Sequence, residues 1–204
     1  MDAMSAQHKR ALTTVIRRIV PALFMHQQPW ALVGSTASSL QGLPVDPPDI
    51  DIATSVPGAY LISGCLIDYM RNPVRYGETE NYASHFGIFD VDGIRVEVMG
   101  DLIIRGVGGV IDTAEHFARW SEKVRMVKVD GTPVPCVPLE WQLVANLIIG
   151  RYDRSQLIAE FFSEHPYDAA FVEDICRDER LLAPVRERVR SLLRLDEGTR
   201  AAAG

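Results

Sequence analysis

The sequence predicts an α+β fold, a mixed β-sheet flanked by helices and followed by a C-terminal helical region. Three observations carry the prediction. A short apolar strand, "WALVG", runs into a small-residue helix. Two pairs of alternating runs are joined by Asp92-Gly93 and by Asp130-Gly131, residue pairs that favour two-residue hairpin turns. From Pro138 onward the apolar spacing becomes helical. The expected organisation is therefore a mixed first part, residues 1–137, that opens with a helix, and a helical region over 138–204.

Taken in order, Ala11, Val15, Ile19 and Leu23 recur every four positions, which suits an amphipathic helix from Ala6 to about Met25, with Pro21 bending or ending it. "WALVG" follows as a buried strand, and "STASSLQG" as a helix that starts on a Ser/Thr cap and stops at Gly42. The loop "LPVDPP" cannot be helix interior, and "DIDIATSV" after it alternates as a strand. "GAYLISGCLIDYMR" reads as helix and "VRYGETENYASHF" as a loop. "HFGIFDV" and "IRVEVMGD" then form a hairpin about Asp92-Gly93. "KVRMVKV" and "TPVPCV" form another, the prolines marking the second as an edge strand. Four helical segments follow, "LEWQLVANLIIG", "DRSQLIAEFF", "YDAAFVEDIC" and "APVRERVRSLLRL", before a frayed tail, "DEGTRAAAG".

The 204 residues carry a formal net charge of −6 and 47% hydrophobic content, enough for a sizeable core and against binding nucleic acid or anionic lipid through overall charge. Cys65, Cys136 and Cys176 lack CxxC spacing, so neither a disulfide framework nor a zinc site is expected. Arg17 and Arg18 interrupt the N-terminal apolar residues, and nothing resembles a signal peptide or membrane span. The expectation is a cytoplasmic protein.

The chemistry concentrates in "VGSTASSLQGLPVDPPDIDIA". On a strand, Asp49 and Asp51 project from one face about 6.6 Å apart, twice the rise per residue. Two carboxylates at that distance repel by roughly 2.5 kcal/mol at an effective dielectric near 20. A positive charge is expected between them, and oxygen ligands on a rigid strand suit Mg²⁺. Two such ions roughly 3.5–4 Å apart could hold the attacking and leaving oxygens of a phosphoryl transfer. Gly34 and Ser35, at a strand-to-helix turn, let backbone approach a phosphate.

Val33-Gly34-Ser35, thirteen intervening residues, and Asp49-Ile50-Asp51-Ile52 together resemble the signature of the nucleotidyltransferase superfamily that includes DNA polymerase beta. The chain is most similar to its small aminoglycoside and lincosamide nucleotidyltransferases and to the nucleotidyltransferase toxins of toxin-antitoxin pairs. The resemblance implies a third carboxylate on a later strand, and Glu97 in "IRVEVMG" holds the matching place, with Asp101 and Asp90 as weaker alternatives. It implies Asp49, Asp51 and Glu97 as catalytic and metal-holding residues and Gly34 and Ser35 as nucleotide-binding. Where many relatives place a phosphate-binding lysine on the first C-terminal helix, this sequence has Asn146; Lys128, Arg151 or Arg75 would substitute.

The function so implied is metal-dependent transfer of a nucleoside monophosphate from a nucleoside triphosphate to an acceptor hydroxyl, with two Mg²⁺ ions as cofactor. An acidic chain favours a cationic small-molecule acceptor, such as an aminoglycoside. An RNA 3′ end, or a nucleotide-binding module without turnover, are the alternatives.

Overall fold

The computed structural model describes residues 4–195; the tail over 196–204, expected to fray, lies outside them. The chain divides into two compact units, Met1–Ile103 with Asp112–Pro138, and Ile104–Ile111 with Leu139–Gly204.

In the first unit, helix α1 (Ala6–Met25) begins where Ser5 accepts the His8 N–H at 3.1 Å. Its buried stripe, His8, Ala11, Leu12, Val15, Ile16, Ile19 and Leu23, follows the i, i+3, i+4, i+7 pattern. Each buried Leu or Ile is worth about 1.5–3 kcal/mol over its exposed state. Pro21 sits inside the helix without ending it.

Strand β1 (Trp30–Val33) leads into α2 (Gly34–Leu40), and β2 (Asp49–Thr54) into α3 (Val56–Cys65). Ser55 ends the strand early because its side chain caps α3 at Gly58 N–H, 3.0 Å. A short 3₁₀ turn, Ile67–Tyr69, then gives way to β3 (Met70–Glu78), β4 (Tyr82–Val91) and β5 (Ile94–Gly106). So "VRYGETENYASHF", expected as a loop, is mostly strand. Strand β3 lies at the sheet edge with only Val74 buried and with register shifts against β4, so it lacks the alternation that marks a half-buried strand. The turns behave as the sequence predicts: Asp92 (φ 53°) and Gly93 (φ 77°), then Asp130 (φ 48°) and Gly131 (φ 80°), both take the left-handed region that two-residue hairpins need. The second turn joins β7 (Arg125–Val129) to β8 (Thr132–Cys136), after β6 (Gly109–Asp112) and α4 (Thr113–Trp120).

The sheet order is β3-β4-β5-β2-β1-β8-β7, with β6 paired to β5. Strand β8, expected at the edge, is internal, and β7 is the edge. The residues flanking a two-residue hairpin exchange hydrogen bonds, here Val129 and Thr132, and so do alternate pairs beyond them. Pro133 and Pro135 therefore aim their N–H-less nitrogens at β1, where pairing shrinks to Leu32 opposite Cys136 and the Val137 N–H on Leu32 O, 2.9 Å. The helix-facing side of the sheet, including Leu32, Ile50, Ile52, Val96 and Val98, shares one core with α1 and α3.

The second unit holds α5 (Leu139–Ile148), α6 (Tyr152–Glu164), α7 (Ala169–Cys176) and α8 (Ala183–Leu193). Segment 104–111 threads among them: Gly108 N–H donates to Ile148 O at 3.0 Å, and Leu182 N–H to Gly108 O at 2.9 Å. A Cβ on Gly106 would lie 2.2 Å from Ile148 O, so only glycine fits there. Arg177 and Arg180 precede α8, and Arg180 pairs with the buried Asp178 at 2.7 Å. Among the described residues, no helix is long and apolar enough to cross a membrane.

Candidate active site

The site is built on the face of the sheet turned away from the core. Strand β2 alternates, so Ile50 and Ile52 are fully buried while Asp49 and Asp51 are half-buried on the opposite face. Strand β5 runs parallel beside it with Asp49 opposite Arg95 and Asp51 opposite Glu97. Val96 and Val98 occupy the core side, so Arg95 and Glu97 stand on the carboxylate face. On the other flank, antiparallel pairing sets Val33 against Asp51, and the chain turns into α2 at Gly34 with φ +65°. A Cβ on Gly34 would fall 2.5 Å from Asp51 Oδ2. The glycine thus serves both the left-handed turn and the space the carboxylate fills.

Arg95 places a positive charge on this face, paired with Glu97. Its guanidinium holds Glu97 Oε1 at 2.6 Å. Burial pushes the Glu97 carboxyl above its ordinary value; Arg95 opposes that shift and the Asp49 charge adds to it. Among the described residues, no three His, Cys, Asp or Glu side chains stand as a closed metal-binding group. The donor set nonetheless fits a hard divalent cation: oxygens only, on two adjacent strands, with Asp51 and Glu97 in register.

A raised Glu97 pKa means that the folded protein holds this proton more tightly than the unfolded chain does. Its contribution is stabilising below the unfolded carboxyl pKa and is lost as pH rises through the folded value. Glu97→Gln should therefore raise Tm relative to wild type at pH 7–8 without divalent ions, the difference vanishing toward pH 4. Thermal melts in EDTA across that range check it; a difference independent of pH would show that the carboxyl does not titrate as described.

Ser35 differs from its expected role as helix cap. The N-cap of α2 is Val33, with no side-chain hydrogen bond, and Ser35 is the helix's second residue, half-buried and without a side-chain hydrogen bond among the described residues. Ser35→Ala should change stability by less than about 0.5 kcal/mol, because no bond is lost. A larger drop in chemical denaturation would show that the hydroxyl has a structural partner.

Lys128 is exposed on β7, opposite Pro133. Alternation with the core-facing Val127 and Val129 puts it on the carboxylate face, three strands from β2, or about 14 Å at the usual strand spacing. Arg151 is the N-cap residue of α6, and Asn146 donates to Gln142 O at 2.8 Å within α5, both in the second unit. Arg75 is exposed on β3 opposite Phe86. Of the alternative acids, Asp90 is held by Arg71 at 3.0 Å and by the Gly93 N–H, and Asp101 takes a positive φ of 45° beyond the last β2 partner.

Two further features of the site lie outside the sequence motif. Arg95 was legible as a cation two residues from Glu97 on the same strand face. The other is a buried chain in which His8 Nε2 lies 2.9 Å from Thr36 Oγ1, and Thr36 Oγ1 donates to the Asp49 carbonyl at 2.6 Å.

The family model for aminoglycoside-2''-adenylyltransferases matches residues 15–160, which include all of these carboxylates and the Gly34 turn. The chain belongs to the aminoglycoside-2''-adenylyltransferase family. A solved Thermotoga maritima protein, described as a candidate nucleotidyltransferase, is 32% identical, the match covering 76% of this chain and 95% of that one with a TM-score of 0.59. At 12% identity stand ANT(2'')-Ia in complex with adenylyl-2''-tobramycin (88% of this chain, 97% of that one, TM-score 0.45) and the lincomycin-bound lincosamide adenylyltransferase LnuA (71%, 94%, 0.41). No curated protein matches the sequence. This member of the aminoglycoside-2''-adenylyltransferase family has the nucleotidyltransferase fold, and it is an enzyme of the nucleotidyltransferase type.

Proposed function

We propose that this enzyme transfers a nucleoside monophosphate, AMP in the first instance, from its triphosphate to a hydroxyl of a cationic small molecule of the aminoglycoside kind. The observation that carries the reading is the register of Asp51 with Glu97 and of Val33 with Asp51, which gathers three carboxylates and the Gly34 turn on one face. Asp49 and Asp51 would hold Mg²⁺, two ions in the full assembly, with Glu97 beside them as the group that takes the acceptor's proton; when bound, the metal neutralises charge on the triphosphate. The Gly34-Ser35 turn receives the phosphates, with the Ser35 hydroxyl uncommitted to the fold and Lys128 on the same face for the distal phosphates. Arg151 is the other cation proposed for those phosphates.

The acceptor oxygen bonds to the α-phosphorus as the α–β bridging bond breaks, and pyrophosphate leaves with the bond's electrons. The hydroxyl proton passes to Glu97: Arg95 occupies Oε1, which leaves Oε2 to accept it. A carboxyl pushed above its ordinary range is a better base than a fully solvated one. The net charge of −6 attracts a cationic acceptor. The chemistry is assigned to residues 1–137, and three free cysteines with a triphosphate donor fit a reducing cytoplasm.

The test presents each α-³²P-labelled triphosphate with Mg²⁺, a panel of aminoglycosides and lincosamides, and tRNA. Label on an aminoglycoside supports the reading. Label in tRNA alone overturns the acceptor assignment, and label on nothing overturns turnover itself.

A further inference from the structure

We infer that His8 is a positioning residue for Asp49, acting through the Thr36 hydroxyl. The inference rests on the reading of Asp49 as a metal-holding residue. A carbonyl oxygen can only accept, so the Thr36 proton is committed to Asp49 O, 2.6 Å away. Thr36 Oγ1 is then the acceptor of the second bond, at 2.9 Å, and His8 Nε2 must carry the proton. The fully buried neutral ring is left with a lone pair on Nδ1 that meets no N–H or O–H donor. Burial lowers the His8 pKa, opposed by Asp46, Asp49 and the Pro47 carbonyl, and so favours this neutral form.

An unpaired buried nitrogen is a cost that leucine or phenylalanine at this place on the apolar stripe of α1 would avoid. What the imidazole supplies is the Nε2–H. Asp49 is paired with Arg95 of β5 but has no strand partner on its other side: β1 ends with Val33 opposite Asp51, so Asp49 lies two residues beyond the last β1 partner and directly after the proline-bearing loop. Thr36, buried in α2, reaches the carbonyl there, and His8 fixes which way the hydroxyl points.

The experiment compares His8→Phe and Thr36→Val, which remove the donor and the hydroxyl, with His8→Gln and Thr36→Ser, which restore a donor at the Nε2 position and the hydroxyl. Two readouts are taken well below each variant's Tm: kcat for transfer, and Mn²⁺ affinity by electron paramagnetic resonance. Expected are an about tenfold fall in kcat and a matching loss of Mn²⁺ affinity in His8→Phe and Thr36→Val, triphosphate KM within twofold of wild type, and recovery in the two conservative variants. The double variant His8→Phe/Thr36→Val should be no worse than Thr36→Val alone. Lower Tm with unchanged kcat and Mn²⁺ affinity would overturn the inference and leave His8 as packing. A wild type that neither transfers nucleotide nor binds Mn²⁺ would instead overturn the functional reading and this inference with it. Should His8→Phe fail to fold, Thr36→Val against Thr36→Ser decides.

Discussion

Asp51→Asn should fold like the wild type and lose nucleotidyl transfer by about 10³-fold. The substitution keeps the shape that Gly34 accommodates and removes one negative charge from the face shared with Glu97. A carboxylate that positions a metal at a transferring phosphoryl group supports several kcal/mol of transition-state stabilisation, and about 4 kcal/mol corresponds to the stated loss. The same change relieves repulsion with Asp49, so Tm in EDTA should equal or exceed that of wild type. Single-turnover transfer at saturating Mg²⁺, beside melts in EDTA, measures both effects. Full activity would remove Asp51 from the chemistry; a collapsed Tm would make it a structural residue.

Gly34→Ala carries the next largest effect, and for two separable reasons. An L-residue at φ +65° pays about 1–2 kcal/mol. The new Cβ would also stand 2.5 Å from Asp51 Oδ2, so the carboxylate must move. Stability should fall by about 2 kcal/mol and transfer by about 10²-fold, since small misplacements of reacting groups cost that much. Gly131→Ala separates the two causes: its φ is +80° but a Cβ there meets nothing within 4 Å. It should lose comparable stability and keep its activity. Equal activity in both variants would show that Asp51 is not held in place by the glycine.

Much of this site was legible because the chemistry and the strand period coincide. Asp-Ile-Asp-Ile alternation puts both acids on one face whatever the fold around them, and Asp92-Gly93 fixes the hairpin that carries Glu97. Which strands become neighbours is set by long-range pairing, and no local signal in "TPVPC" reveals that its prolines face an almost unpaired side of β1. Strand β3 was missed because an edge strand with one buried residue has no period to detect. Ser35 looked like a cap because it is a serine beside a helix start, but Gly34 itself takes the first helical position. His8 falls on the apolar stripe of α1, where a polar residue was the available sign that the stripe does more than pack.

The most direct measurement is a crystal structure of the wild-type enzyme with Mn²⁺ and a non-hydrolysable triphosphate, read by anomalous scattering. The account predicts an anomalous peak coordinated by Asp49 and Asp51, with the triphosphate against the Gly34-Ser35 turn. A triphosphate and metal bound elsewhere, with both aspartates free of metal, would contradict it.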